Sequence, residues 1–396
     1  MATQTEKERS AYREGLKLGE RLLSGNVRAT RDAPPGGKQY YQEAAATAEY
    51  LNIAEDELLG VVSAFHRERL DALPDPEKYP ETRGERDVLL KKYEGMREAG
   101  MDQVLIALHQ SLTFWQKYRM PEQYGRIYNP VAVGDLKERC RIVYMPESDH
   151  GPLHFKNVDD PLATWTPYPP EEQGLPWPHS PLMFDGTGSG LHIDEPAEEI
   201  FPLDCKRLCR EHCGTIAEAE EFLVRYNHFW GGGNLLVHDE KGNSVAFDKA
   251  SRSRVAARQP DSSGINYING MSSFDPEYEA FINQQRQLYL QKTGQSEDSE
   301  EACYFRFCHG VLENMKGYMK ELKEKPTLGK LISVMTSRDP DGALCKSGQK
   351  VHPNEKTPAG TLMQRLFFLK SRILLRRQWR GNNPVWEDPW EQVQYV

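Results

Sequence analysis

The chain has 396 residues, 38% of them hydrophobic and 28% charged, a globular composition long enough for one large domain or two ordinary ones. Its formal net charge of -9 argues against a nucleic-acid partner, because phosphate binding needs a basic surface. No apolar run approaches a bilayer span, and the polar start MATQTEKERSAYREG has no signal-peptide core, so a cytoplasmic protein with no membrane association is expected.

Residues 1–130 read as mostly helical. Ala44–Leu51 and Glu55–Leu70 carry apolar residues at helical spacing, and Met101–Tyr118 repeats the pattern with Val104, Leu105, Leu108, Leu112 and Trp115. Polar breaks, DAPPGGK near residue 33 and LPDPEKYPETRGE near residue 73, separate these stretches.

The character changes near residue 139. CRIVYMPESDHGPLHFKNVDD reads as two strands around a turn of good turn formers, Pro146 to Gly151. Residues 161–181 are rich in proline and tryptophan, an irregular loop that includes Trp165. GTGSGLHID then reads as a turn plus strand. Cys205, Cys209 and Cys213 are spaced by four, which on a helix makes one face. CxxxCxxxC matches no standard metal-ligand spacing, so a core stripe is expected and no metal site. Seven scattered cysteines, an odd count, read as a reduced chain and not a disulfide scaffold.

Thr215 and Glu218 form a capping-box pattern before the stripe Ile216, Ala219, Phe222, Leu223 and Tyr226. NLLVHDEKGNSVAFD reads as a hairpin turning at Lys241–Asn243, GINYING as a strand, and Val311–Leu322 as a helix. TLMQRLFFLKSRILLRRQ is strand-like. The basic run from Lys370 to Arg380 is interleaved with Ile373, Leu374 and Leu375, which suggests a strand with a solvated basic face.

The first hairpin is a chemical unit. If Tyr144 and Met145 lead into its turn, Cys140 falls opposite Asn157 or its neighbours. Alternation puts Asn157 and Asp159 on one face and Lys156 on the other. A thiol, a carboxamide, a carboxylate and an ammonium thus gather at one strand end. The plain alternative is a surface hairpin with a half-buried cysteine. A thiol nucleophile needs a base, and no histidine adjoins Cys140 in sequence; His150 and His154 lie in or near the turn. An α-amine, with pKa near 7.7–8.0, would serve as base if Cys140 became an amino terminus.

On these residues the chain resembles the isopenicillin N acyltransferase-like Ntn hydrolases, relatives of the conjugated bile acid hydrolases. The matching elements are Cys140, the turn glycine Gly151, and Asn157-Val158-Asp159. Gly186–Leu191, Thr215–Ala219, the hairpin Asn234–Gly242 and the strand end Ile268-Asn269-Gly270 follow in order. The resemblance spans about residues 140–375. It implies an α+β, four-layer α-β-β-α Ntn-hydrolase sandwich at 140–396, preceded by a helical prosegment at 1–139. It further implies self-cleavage between Arg139 and Cys140, and a cofactor-free amidohydrolase or acyltransferase working on a small amide or acyl-thioester substrate through a Cys140 thioester. Cys140 would be the nucleophile, Asp159 would orient its freed amine, and Asn269 would supply the oxyanion hole. Lys156, Asn157, Tyr144 and Trp165 would support or contact substrate. The processed subunits would stay associated, with a homo-oligomer left open.

This chain departs from the family at several points. Arg139 and Arg141 flank the cysteine where the family has small residues or Ser/Thr. Gly270 replaces the histidine after Asn269, and the late Cys-Arg-His appears as Cys345-Lys346-Ser347. Two other readings therefore stand beside the first: an uncleaved binding or scaffold protein of the same fold, and a cysteine protease pairing Cys140 with His150, His154 or His309.

Overall fold

The computed structural model describes residues 3–24, 35–72, 74–124, 140–161, 182–186, 203, 205–226, 234–239, 241–248, 256–269, 303–338, 344–345, 359–380 and 384–393, with isolated positions at 280, 287 and 296. The expected loop at 161–181 with Trp165, the junction residue Arg139 and the segment 187–194 lie outside them. The chain divides into two compact units, one of residues 1–130, 195–211 and 228–230, the other of 131–194, 212–227 and 231–396.

The first unit is helical. It contains α1 (Gln4–Ser24), α2 (Lys38–Leu51), α3 (Glu55–Asp71), α4 (Glu85–Glu98), α5 (Gln103–Tyr118) and α6 (Met120–Tyr124). The spacing predicted α2, α3 and α5 closely. Asp102 caps α5 by accepting from the Leu105 amide at 2.7 Å. Ala44, Ala48, Leu58, Val62, Phe65, Leu108, Leu112 and Trp115 interlock as one core. Helices α1 and α4 meet backbone to backbone. A Cβ on Gly15 would lie 1.9 Å from the Lys92 carbonyl oxygen, so only glycine permits that approach. α7 (Cys205–His212) supplies Arg207 to Glu85 and Glu211 to Lys7. Cys205, Cys209 and Cys213 are all buried, as the stripe reading required.

The second unit mixes helices with two antiparallel sheets. Sheet A runs β10-β9-β8-β2-β1-β7, and sheet B runs β3-β4-β5-β6. Sheet A contains β1 (Arg141–Met145), β2 (Leu153–Pro161), β7 (Asn266–Asn269), β8 (Ala359–Phe368), β9 (Ile373–Gln378) and β10 (Glu391–Val393). Sheet B contains β3 (Leu182–Gly186), β4 (Leu235–Asp239), β5 (Ser244–Asp248) and β6 (Ala256–Arg258). The hairpins expected at 140–160 and 234–248 both form.

Alternation sorts sheet A cleanly. Ile142, Tyr144, Ile268 and Phe367 pack against Met183, Leu236 and Ala246 of sheet B. Val143, Met145, Leu153, Phe155 and Leu366, on the other face, pack under α9 (Cys303–Glu324) and α10 (Leu328–Met335) through Val311, Met315, Leu331 and Met335. Against β4 and β5 packs α8 (Ile216–Arg225), capped by the Thr215–Glu218 box and burying Ala219, Phe222 and Leu223. One expectation fails: β9 has no solvated basic face. Arg376 and Arg377 are 2% and 6% exposed: on one face Arg376 pairs with Glu391, and on the other Arg377 donates to Gln364 and to the Trp386 carbonyl.

Candidate active site around Cys140

Cys140 stands at the entry of β1, a central strand of sheet A. Arg141, the next residue, pairs with Asn157 of β2 on one side and Asn269 of β7 on the other. Cys140 is half-buried against Val158, Leu362 and Met363. Its φ is 53°, in the left-handed region that disfavours a side chain, at a cost on the order of 1–3 kcal/mol.

The hairpin reading of faces holds. Arg141, Asn157 and Asp159 turn toward the helix side of sheet A; Lys156 turns toward sheet B. An extra residue in β8, between Thr361 and Met363, brings both Thr361 and Gln364 onto the helix side. A dry polar network results. Arg141, fully buried, donates to Asp159 and, at 3.3 Å, to the Leu344 carbonyl. Thr361 donates to the second Asp159 oxygen at 2.6 Å. Asn157 donates to the carbonyls of Met335 and Leu344 at 2.9 and 2.6 Å and accepts from Gln364 at 2.7 Å. Asn157 is fully buried and ties the Met335 and Leu344 carbonyls to β2. Arg377 donates to Gln364 at 2.6 Å, and its burial lowers its pKa to about 10. Cys345 lies in this network, 3.8 Å from the Gln364 amide. Burial and then the Asp159 charge push its thiol up to about 12, so it is no nucleophile at neutral pH.

On the sheet-B side a second polar cluster forms, which sequence reading did not anticipate. Lys156 donates to Asp185 at 2.5 Å and to the Gly186 carbonyl at 2.8 Å. Burial alone would raise the Asp185 pKa, but Lys156 and Arg365 hold it well below the ordinary carboxylate range. His154 meets Asp185 through Nε2 at 3.1 Å and His238 through Nδ1 at 2.8 Å. An ionised Asp185 can only accept, so His154 carries its proton on Nε2 and His238 donates from its own Nε2. Burial lowers the pKa of both rings and keeps them neutral. Tyr144 stacks on His238 with centroids 4.2 Å apart. Tyr144 is thus fully buried between the sheets. The signal for this cluster was there: His154, Lys156 and His238 alternate inward on strands, but nothing in one strand reveals what the facing sheet brings.

Asn269 ends β7 directly across from Arg141, one residue from Cys140. The described residues also outline a cleft of about 750 Å³ bounded by Thr215, Glu220, Asp239, Asn243, Gln259 and Asp261. Its glycines Gly242 and Gly264 back onto Pro146, just beyond the exit of β1, so it opens at the end opposite Cys140. No group of three or more metal-ligating side chains occurs among the described residues, and none of their helices is long and apolar enough to cross a membrane.

No protein-family model matches the chain, and no curated protein matches it. Solved structures similar to it include two variants of the conjugated bile acid hydrolase from Clostridium perfringens. Each shares 10% sequence identity with a TM-score of 0.33; the alignments cover 66% and 65% of this chain and 89% of those.

Proposed function

We propose that this chain is an N-terminal-nucleophile amidohydrolase or N-acyltransferase, built as a four-layer α-β-β-α sandwich at 140–396 behind a helical prosegment at 1–139. The observation that carries the reading is Cys140, a half-buried thiol in a left-handed backbone at the entry of a central strand, with Asn157 and Asn269 on either side of the next residue. The ordered motifs from Cys140 to Asn269 support it as well.

In this reading the Cys140 thiol attacks the carbonyl carbon of Arg139, and the acyl group moves from nitrogen to sulfur. Water then hydrolyses that thioester, leaving a carboxylate on Arg139 and a free α-amine on Cys140. The left-handed φ of Cys140 stores strain at that junction. In turnover the α-amine takes the thiol proton, and the thiolate adds to the substrate's amide carbonyl. Asn269 stabilises the oxyanion, worth about 2.7–4 kcal/mol for a well-placed donor. The proton passes to the departing amine, and a thioester remains on Cys140. Attack by water completes hydrolysis; attack by an amine completes acyl transfer.

Intact-mass analysis and amino-terminal sequencing of the purified protein test the first step. Processing yields two fragments whose masses sum to that of the chain plus one water, the larger beginning at Cys140, and Cys140→Ala abolishes both cleavage and turnover. A chain that stays whole on long incubation, with Cys140 inert to iodoacetamide, overturns the reading.

One observation favours the second reading, an uncleaved binding protein of this fold. Arg141 already occupies the Asp159 carboxylate that the first reading assigns to the α-amine.

A further inference from the structure

The cross-strand register of sheet A sets Lys156 of β2 opposite Arg365 of β8, Arg365 opposite Arg376 of β9, and Arg376 opposite Glu391 of β10. Residues directly opposite share a face, so three cations stand in one row on the side of sheet A that faces sheet B. Among the described residues, two carboxylates answer them. Asp185 reaches Lys156 at 2.5 Å and Arg365 at 3.7 Å, and Glu391 reaches Arg376 at 3.2 Å but also bonds the exposed Arg380. His154 and His238 are held neutral by burial and add no charge. Among the described residues, the three cations of the row thus meet two carboxylates, one of them shared with Arg380.

The excess is buried. Arg376 is 2% exposed, and its Nε and Nη1 are buried with no hydrogen-bond acceptor among the described residues; the same holds for the Nε of Arg365. Guanidinium nitrogens left this way are costly, because burial of a charge is tolerated only when it is paired and its protons are bonded. The guanidinium fork is also the donor geometry that fits a planar or tetrahedral oxyanion. The row lies one inward-facing rung along from Cys140. The rung of Cys140 itself continues across Val158, Met363 and Gln378. An extended ligand whose reacting carbon meets Cys140 has Lys156 and Arg365 as its next neighbours across the sheet.

We propose that the Lys156–Arg365–Arg376 row binds a compact oxyanion group, the acid end of an amide substrate whose acyl carbon is taken by Cys140. The assignment to substrate rests on the nucleophile reading above; the anion site itself does not. A carboxylate, sulfonate or phosphate-type group shares the required chemistry, and a free inorganic oxyanion is the competing source.

Two measurements on the full chain decide the matter. In the first, the thermal midpoint is followed in millimolar sulfate and in chloride at equal ionic strength. Sulfate raises the wild-type midpoint more than chloride does. Arg376→Met and Arg365→Met reduce that extra increment severalfold. Arg376→Lys keeps part of the increment, and Lys370→Gln, an exposed cation in the β8–β9 turn, keeps all of it. An equal response of wild type and the Arg376 and Arg365 variants overturns the site.

In the second, Cys140 is alkylated with iodoacetate and with its neutral counterpart iodoacetamide, and the labelled peptide is quantified. The iodoacetate-to-iodoacetamide rate ratio at Cys140 exceeds that of a small free thiol by about tenfold, and Arg365→Met lowers that ratio severalfold. A sulfate increment without that ratio overturns the substrate assignment in favour of a free oxyanion. If iodoacetamide itself fails to label Cys140, the nucleophile reading falls, and the sulfate comparison still judges the anion site.

Discussion

Replacement of Arg141 by methionine gives the sharpest test of the site's architecture. The Arg141 and Asp159 side chains are 0% and 2% exposed, so their pairing is made in a dry interior. The consequences of the change can be followed atom by atom. Leu344 O loses Arg141 but keeps Asn157 at 2.6 Å. One Asp159 oxygen keeps Thr361 at 2.6 Å; the other loses its charged donor. The cost is therefore that of leaving a buried carboxylate unpaired, about 3–5 kcal/mol. Adding Asp159→Asn removes the orphaned charge and recovers most of that loss, so the double-mutant cycle shows a coupling of about 2–3 kcal/mol. Equilibrium urea unfolding of the four proteins measures both quantities. An Arg141→Met cost below about 1 kcal/mol, the range of solvent-exposed pairs, or strictly additive single costs, would refute a buried pair beside Cys140.

Other consequences follow from burial. His66, bonded to Ser111 at 2.9 Å, has its pKa lowered to about 4 by burial and then by Arg69. Its folded value lies below its unfolded 6.5, so the unfolded chain binds the extra proton, and stability present above pH 6.5 is lost as pH falls toward 4. That loss amounts to about 3 kcal/mol, and His66→Gln flattens this part of the pH–stability curve; an unchanged slope would count against it. Gly15→Ala drives a methyl into the Lys92 carbonyl and destabilises the α1–α4 pair by about 1–3 kcal/mol or more, read as a drop in thermal midpoint. Cys345 resists iodoacetamide at pH 8 in the native protein and reacts once unfolded; native-state labelling of Cys345 at the rate of Cys140 would contradict its raised pKa.

Local chemistry made several elements readable. The capping box at Thr215–Glu218 and the turn at Lys241–Asn243 are written in short-range hydrogen bonds, and both form as read. The cysteine stripe followed from spacing and from the small apolar character of the thiol. The face assignment of Asn157, Asp159 and Lys156 needed only the strand period of two. The basic strand β9 was misjudged for a definite reason. Nothing in the run shows that Glu391, Gln364 and the Trp386 carbonyl meet its arginines on the two faces of the sheet.

The sequence by itself located the two hairpins and the helical stretches α2, α3, α5 and α8, and it singled out Cys140 as a thiol at a strand entry with Asn157 and Asp159 following at fixed intervals. Those are properties of residues within a few positions of one another, or across one hairpin. The tertiary structure alone decided what meets those side chains. It set Arg141 against Asp159, Asn157 against residues 335 and 344, and Lys156 against Asp185. It also aligned Arg365 and Arg376 with Lys156. Such pairings depend on strand order and on which sheet faces which, and partners as far apart in the chain as Asn157 and Gln364, 207 residues, leave no local trace of one another.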